Sequence, residues 1–143
     1  MEKGIIEATT GAGFLVSTDS YKDFELKAEF WVDDAANSGI FIRCTDPKRI
    51  TATNAYEVQI FDKRPDQKYA TGAIVNVAGP PSPVKSAGKW NTYEITARGG
   101  HMIIKLNGAV TADAEDTKNP QGPIALQHAA GLVRFRSVQV RRL

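Results

Sequence analysis

The fold class is decided by one stretch, Phe24-Glu25-Leu26-Lys27-Ala28-Glu29-Phe30-Trp31-Val32, in which apolar and charged residues alternate almost without interruption. Successive side chains of an extended chain point to opposite sides, so the even-numbered residues of this stretch share one apolar face. An amphipathic helix would instead repeat its apolar residues every three or four positions. The stretch therefore predicts a β-strand with one face in a hydrophobic core.

The same period of two recurs in the segments 40–44 and 56–61. In both, the even-numbered residues form the predicted core-facing set. The odd-numbered residues, which include Arg43, Glu57 and Gln59, point the opposite way. Cys44 is the single cysteine and belongs to the core-facing set, so it is interpreted as a small buried hydrophobe and not as a nucleophile.

Later strands are delimited by the dipeptides Gly99-Gly100 and Asn107-Gly108, which supply the positive φ angles of tight hairpins. A bulge near Arg136-Ser137 would keep the last strand in register. The polar segment 113–120 is compatible with one turn of helix. The further predicted strands are Thr92–Ala97, His101–Leu106, Ala109–Ala112, Ile124–Gln127 and Val133–Val140. About ten strands without a helical period predict an all-β, antiparallel two-sheet β-sandwich of jelly-roll type, formed as a single domain by residues 1–143.

Composition narrows the function classes. The 143 residues are 42 % hydrophobic and 24 % charged, with a net charge of +2, which excludes the basic surface of a nucleic-acid-binding protein. No window approaches the roughly 20 apolar residues of a membrane span. Met1-Glu2-Lys3-Gly4 does not open a signal peptide, because no apolar segment follows it. Localisation and oligomeric state stay open.

Motifs for zinc, for a phosphate loop and for a serine nucleophile are absent, so no metal ligands are assigned. The remaining candidates are polar residues. Arg43, Glu57 and Gln59 would lie side by side if the strands that carry them were neighbours in one sheet. Asn37 lies where the strand that carries Arg43 begins. Aromatic residues of the same parity favour a ligand-binding surface. The alternative is an exposed sheet face whose polar residues have no special role.

Three further residues are candidates for binding. Trp90 follows a proline-rich loop, where it either packs that loop onto the sandwich or stacks on a ligand. Gln127 and His128 lie at the end of a predicted strand. A histidine there is either structural or able to serve as a proton donor.

The sequence resembles the 3-keto-disaccharide hydrolase domain family (DUF1080) from about Ile5 to Leu143. The resemblance rests on eight short motifs in order, which are Tyr21-x-Asp23-Phe24-x-Leu26, Asn37-Ser38-Gly39-Ile40-x-x-Arg43, Tyr56-Glu57-x-Gln59-Ile60, Thr71-Gly72-Ala73, Trp90-Asn91, Leu106-Asn107-Gly108, Gly122-x-Ile124-x-Leu126-Gln127 and Phe135-Arg136. It implies a concanavalin A-like sandwich and activity on glycosides whose sugar is already a ketone at C3. Members are often exported by bacteria. The family's opening strand is missing here or reduced to Gly4-Ile5-Ile6, and His128 is shifted from the usual His-Gly position.

This resemblance suggests a mechanism. Common glycosidases use two carboxylates, whereas the sequence offers one well-placed candidate, Glu57. A C3 ketone acidifies the C2 proton, so one base permits β-elimination of the C1 substituent, followed by addition of water. The hypothesis assigns Glu57 as base and Arg43 as electrostatic stabiliser.

The sugar hydroxyls would be bound by Gln59, Asn37 and Gln127, with Trp90 packed on the sugar. The sequence requires no cofactor, although a divalent cation that helps to stabilise the enolate is compatible with it. The alternatives are a non-catalytic carbohydrate-binding module of the same fold and an accessory domain of a larger protein. The expected partner is an oxidised glycoside, with neither nucleic acid nor membrane.

Overall fold

The computed structural model describes residues 5–143 and consists almost entirely of strands. Met1 to Gly4, on which the signal-peptide interpretation and part of the reduced opening strand depend, lie outside the described residues. The strands are β1 Ile5–Ala8, β2 Gly13–Val16, β3 Phe24–Val32, β4 Asn37–Ile42, β5 Tyr56–Ile60, β6 Trp90–Arg98, β7 His101–Leu106, β8 Ala109–Glu115, β9 Ala125–Ala130 and β10 Val133–Arg142.

The strands form two antiparallel sheets. The six-stranded sheet has the order β1-β10-β3-β6-β7-β8, and the four-stranded sheet has the order β2-β9-β4-β5. Their facing sides enclose one hydrophobic cluster to which β3, β4, β5, β6, β7 and β10 contribute. The predicted all-β, two-sheet sandwich is confirmed.

Strand β3 shows why the alternation decides the fold. Its even-numbered side chains, from Phe24 to Val32, are at most 2 % exposed and lie in the core. The odd-numbered side chains lie on the outer face of the six-stranded sheet, where β10 pairs Arg136 with Glu29 and Arg141 with Glu25. Apolar burial drives the sheets together, at roughly 25 cal/mol per Å² of apolar surface removed from water.

Two local predictions have opposite outcomes. The bulge in β10 is confirmed, since the register shifts between Arg136 and Gln139 and Ser137 has a φ of 53°. The helical turn in 113–120 is wrong, because β8 extends to Glu115. Within residues 5–143 the helical turn is instead the 3₁₀ segment Gln67–Tyr69, whose N-cap Asp66 accepts a hydrogen bond from the Lys68 amide.

Tyr93 connects the two sheets through the core. Its hydroxyl donates to the carbonyl oxygen of Gln59 at 2.5 Å and accepts from the amide of Gly72 at 2.7 Å. The side chain is fully buried, and burial raises the pKa of its hydroxyl well above the ordinary value. The hydroxyl therefore acts as a neutral structural group that holds the backbone of β5.

Replacing Tyr93 with phenylalanine is expected to lower the free energy of unfolding by about 1–2 kcal/mol, because two hydrogen bonds of about 1 kcal/mol each are lost while the Gly72 amide and the Gln59 carbonyl stay bonded to each other at 3.3 Å. Equilibrium unfolding in urea measures the change. Tyr21→Phe is the matched control, because the Tyr21 hydroxyl makes no hydrogen bond among residues 5–143, and it should change stability by less than about 0.5 kcal/mol. Equal effects of the two substitutions would contradict the prediction.

Candidate functional site

The outer face of the four-stranded sheet carries a row of three residues from three strands. Gly39 of β4 pairs with Gln59 of β5 on one side and with Gln127 of β9 on the other. Residues that pair directly across antiparallel strands share a face of the sheet. We call Gln59, Gly39 and Gln127 the polar row; Glu57 lies on the same face, two residues before Gln59.

Glu57 and Gln127 approach the same point above Gly39. A Cβ added to Gly39 would lie 3.4 Å from the Glu57 Cγ and 3.4 Å from the Gln127 Oε1. The absent side chain therefore lets the Glu57 and Gln127 side chains close over the Gly39 backbone. Sequence parity placed Glu57 and Gln59 on one face, but it gave no sign that Gln127 would meet them across Gly39.

The polar groups around this point are buried, and two of their oxygen atoms lack hydrogen-bond partners among residues 5–143. Glu57 is 9 % exposed and Gln59 is 3 % exposed. The Oε1 atoms of Gln59 and Gln127 are both buried and have no hydrogen-bond partner among residues 5–143. Buried polar atoms in folded proteins are nearly always paired, so two unpaired amide oxygens on the same face as Glu57 mark the candidate ligand site.

The burial of Glu57 has a local cause. The irregular segment 72–75 runs along the free side of β5, where the Gln59 amide donates to Ala73 O at 2.9 Å and the Val75 amide donates to Glu57 O at 2.9 Å. Residues 5–143 contain six ion pairs, and Glu57 forms none of them. Burial raises the pKa of Glu57 to about 7, and the positive charge of Arg64 opposes part of that rise. A carboxyl with this pKa can exchange a proton near neutral pH.

Arg64 is the cation that acts on Glu57, and sequence reasoning missed it. It lies in the loop after β5, half-buried, and its Nη1 donates to Tyr69 O at 3.3 Å. Strand parity says nothing about a loop residue. The only available signal was its position four residues after the end of the candidate strand.

The prediction that Arg43 lies beside Glu57 is wrong. Strand β4 ends at Ile42, and Arg43 has a φ of 52°, which breaks the alternation on which the prediction depended. Its guanidinium donates to Lys22 O at 2.6 and 3.0 Å and to Gly99 O at 2.6 Å, and the side chain is 1 % exposed. Arg43 thus holds the Lys22 segment against the β6–β7 turn.

Trp90 is also placed away from the polar row. It begins β6 in the six-stranded sheet, where it pairs with Trp31 on the outer face. The Arg136 guanidinium lies 3.9 Å from the centre of its ring. The prediction that Trp90 packs on a sugar held by Glu57 is wrong, because its strand belongs to the opposite sheet.

Asn37 and His128 are the remaining two predicted site residues. Asn37 begins β4 and is half-buried, and the pairing of β4 with β9 shifts register between Asn37 and Ser38, so strand parity does not fix its side chain relative to Gly39. His128 has the inward parity: its Nδ1 lies 2.5 Å from Gly11 O and its Nε2 lies 2.7 Å from Gly131 O. The structure therefore does not bring His128 to Glu57, since adjacent strand residues face opposite sides.

Phe14 borders the polar row next to Gln127, and the sequence did not predict this position. It pairs with Gln127 across β2 and β9, is 40 % exposed, and makes an edge-to-face contact with Phe41 at 5.2 Å. A cleft of about 310 Å³ opens nearby, between the edge strands β1 and β2. Its mostly apolar lining includes Gln127 of the polar row but not Glu57, so Glu57 and the polar row are kept as the candidate site.

Two kinds of feature are absent from the part of the chain that the structure describes. Residues 5–143 contain no group of three His, Cys, Asp or Glu side chains arranged as metal ligands. They also contain no helix with the length and apolar character needed to cross a membrane.

Comparison with known proteins identifies the family to which the sequence is related. Residues 1–141 match the model of the 3-keto-alpha-glucoside-1,2-lyase-like domain. A candidate glycosyl hydrolase from Parabacteroides distasonis ATCC 8503 is 27 % identical with a TM-score of 0.88, over 99 % of this chain and 88 % of that one. No curated protein matches the sequence significantly.

Two more distant structures share the fold. A second candidate glycosyl hydrolase from the same organism is 18 % identical with a TM-score of 0.86, over 99 % of this chain and 82 % of that one. The carbohydrate-binding module CBM66 from Bacillus subtilis is 20 % identical with a TM-score of 0.72, over 96 % of this chain and 95 % of that one. Since the family model covers nearly the whole sequence, this chain belongs to the family of 3-keto-alpha-glucoside-1,2-lyase-like domains.

Proposed function

We propose that this protein cleaves 3-keto-glucosides, with Glu57 as the base that removes the C2 proton. The observation that carries the proposal is a buried carboxyl, with a pKa of about 7, beside two unpaired amide oxygens. Family membership supports the glycoside substrate, and the relatives described as glycosyl hydrolases agree with it.

The C3 ketone makes elimination possible with one carboxylate. Glu57 takes the C2 proton, and the electron pair of that bond becomes an enolate on the C3 oxygen. The enolate then reforms the ketone, a double bond forms between C1 and C2, and the C1–O bond breaks with its electrons on the leaving group. The leaving oxygen takes up a proton. Addition of water across the double bond, with hydroxide at C1 and a proton at C2, completes a net hydrolysis.

The nearest carboxylate along the chain, Asp62, is committed to structure. It accepts hydrogen bonds from the hydroxyls of Thr71 and Ser86, both at 2.6 Å, and from the amides of Ser86 and Ala87. Burial alone would raise the pKa of Asp62, but these hydrogen bonds outweigh it, so the pKa is lowered. A carboxylate held in this way is unsuited to proton exchange at neutral pH, which favours a mechanism with one acid–base residue.

The other residues take binding and electrostatic roles. Gln59 and Gln127 bind sugar hydroxyls, Asn37 contacts the far end of the ligand, and Arg64 takes the stabilising place that the sequence assigned to Arg43. The oxygens of Glu57, Gln59 and Gln127 are also hard ligands that a divalent cation accepts. Such a cation would supply Lewis-acid stabilisation of the enolate.

Incubation with 4-nitrophenyl 3-keto-α-glucoside, beside its unoxidised parent, tests the proposal through release of nitrophenol. Only the keto compound should be cleaved, and kcat/KM should rise with pH through about 7 as Glu57 loses its proton. Parallel assays with EDTA and with added Mg²⁺ report on the cation. Equal cleavage of both compounds would refute elimination. Binding of either one without cleavage would favour the carbohydrate-binding module.

A further inference from the structure

We propose that Asp62 is a positioning residue for the candidate base Glu57, because its carboxylate anchors the segment that covers that base. This inference rests on the proposed function for the reaction that Glu57 performs. Asp62 takes no part in proton transfer, and it acts on Glu57 through the backbone that it holds in place.

The carboxylate of Asp62 joins two segments that are separate in the chain. Its Oδ1 accepts hydrogen bonds from the hydroxyls of Thr71 and Ser86, both at 2.6 Å. Its Oδ2 accepts from the amides of Ser86 and Ala87 at 2.8 and 3.0 Å. Thr71 and Ser86 are fully buried, and hydrogen bonds to a charged acceptor are about twice as strong as those between neutral groups. The four bonds therefore fix both segments against the end of β5.

Thr71 directly precedes segment 72–75, which runs along β5 and covers Glu57. The segment is bonded to β5 through its backbone, with the Val75 amide donating to Glu57 O at 2.9 Å. Where the segment begins, the hydroxyl of Thr71 donates to Asp62. The start of the covering segment is thus held by a charged side chain in addition to backbone pairing.

The same bond closes the loop that carries Arg64. The loop leaves β5 and returns at Thr71, where the Phe61 amide donates to Thr71 Oγ1 at 2.9 Å beside the bond to Asp62. Within the loop, the Gln67 side-chain amide donates to Arg64 O at 2.6 Å. Asp62 therefore fixes the cation that acts on Glu57 as well as the segment that buries it.

Burial and charge act on Glu57 in opposite directions. Burial raises the pKa of Glu57 to about 7, and Arg64 opposes part of that rise. Segment 72–75 and the neighbouring strand positions Gly39, Phe41 and Gln127 carry no charge, which leaves Arg64 as the charged group that acts on Glu57 among residues 5–143. Because burial is the larger cause, a loosened cover should lower the pKa of Glu57 toward its ordinary value of 4.5, even if Arg64 moves away as well.

Thr71→Val tests the inference, with Thr71→Ser and Ser86→Ala as matched controls. Valine lacks the hydroxyl that joins the covering segment to Asp62, whereas serine keeps it. Ser86→Ala removes a hydrogen bond of the same length to the same oxygen, but on the segment that does not cover Glu57. Thr71→Val is a cleaner test than Asp62→Asn, since removing the Asp62 charge would by itself lower the pKa of a nearby carboxyl.

The measurement is a ¹³C NMR titration of the Glu57 carboxyl in the natural protein and the three variants. The midpoint should lie near 7 in the natural protein and both controls, and at about 6 or lower in Thr71→Val. The pH dependence of kcat/KM for 4-nitrophenyl 3-keto-α-glucoside should move in the same direction. A folded Thr71→Val protein in which Glu57 still titrates near 7 would overturn the inference, because a purely structural bond would change stability alone.

Hydrogen exchange in the unaltered protein covers the case in which Thr71→Val does not fold. The Val75 amide should be protected as strongly as the amides of the central strand β6, and an unprotected Val75 amide would contradict the inference. The NMR titration needs no turnover, so the two proposals fail separately. A lowered midpoint in Thr71→Val without cleavage of the 3-keto-glucoside removes the proposed catalysis and leaves the positioning role. Cleavage by Thr71→Val with an unchanged pH profile removes the positioning role alone.

Discussion

Replacing Glu57 with glutamine is expected to abolish cleavage of the 3-keto-glucoside and to make the protein more stable above pH 7. The rate should fall by about 10²- to 10⁴-fold, the usual contribution of a general base. Glutamine has nearly the same shape and can still bind hydroxyls, so Kd should change much less than kcat. Substrate release assays and calorimetry measure the two quantities.

The gain in stability follows from the raised pKa. Between the ordinary value of 4.5 and about 7, the folded protein binds more protons than the unfolded chain, so stability falls as pH rises through this interval and stays lower above it. One pKa unit corresponds to about 1.4 kcal/mol, so Glu57→Gln should add about 3 kcal/mol at pH 8 and little at pH 4.

Urea unfolding at the two pH values measures this difference. Glu94→Gln, on the exposed outer face of the six-stranded sheet, is the surface control and should change stability by less than about 1 kcal/mol at either pH. If Glu57→Gln were less stable than the natural protein at pH 8, the ionised carboxylate would have to be a stabilising group. Its assignment as a buried base would then be refuted.

Replacing Arg43 with methionine is expected to destabilise the protein by about 3 kcal/mol or more. Methionine fills a similar volume, but it removes the charged donor from the carbonyls of Lys22 and Gly99, and hydrogen bonds to a charged group contribute about 1.5–3 kcal/mol each. Asp23, which lies 3.4 Å from Arg43, also loses its partner. Thermal and urea unfolding provide the measurement.

The control for Arg43 is Arg141→Met. Arg141 makes an exposed ion pair with Glu25 at 2.7 Å, and such pairs contribute about 0–1 kcal/mol. If Arg43→Met instead kept its stability and lost only kcat, the original assignment of Arg43 as electrostatic stabiliser would be restored.

The sequence predicted those features that depend on one strand at a time. The alternation in β3 identified its buried face, and the inward set of segment 56–61 lies in the core as expected. Parity also placed Glu57 and Gln59 on one side of β5. It could not show that this side is covered, because the covering segment 72–75 has no alternation of its own.

Where the sequence mispredicted the positions of site residues, the errors have two physical causes. One is a single backbone angle: the positive φ of Arg43 ends the alternation, after which Cys44 packs with Phe41 in a separate small cluster on the outer side. Cys44 is still a buried hydrophobe, as predicted, and burial raises its pKa to about 11.

The other cause is the order of strands within the sheets. Sheet order assigns Trp90 to the face opposite Glu57, and the pairing of β4 with β9 brings Gln127 to Gly39. Both are contacts between residues far apart in the chain. Alternation within a strand carries no information about them.

The segment that buries Glu57 has a second effect. The outward backbone groups of β5 are already used, since Glu57 O, Gln59 N and Gln59 O all bond to residues 72–75. An exposed strand edge invites pairing with another chain and so promotes aggregation. The border of the sheet next to Glu57 is therefore closed to strand addition, and an extended segment of another chain cannot pair there. Self-association through backbone pairing would have to start elsewhere, at the free sides of β1, β2 or β8.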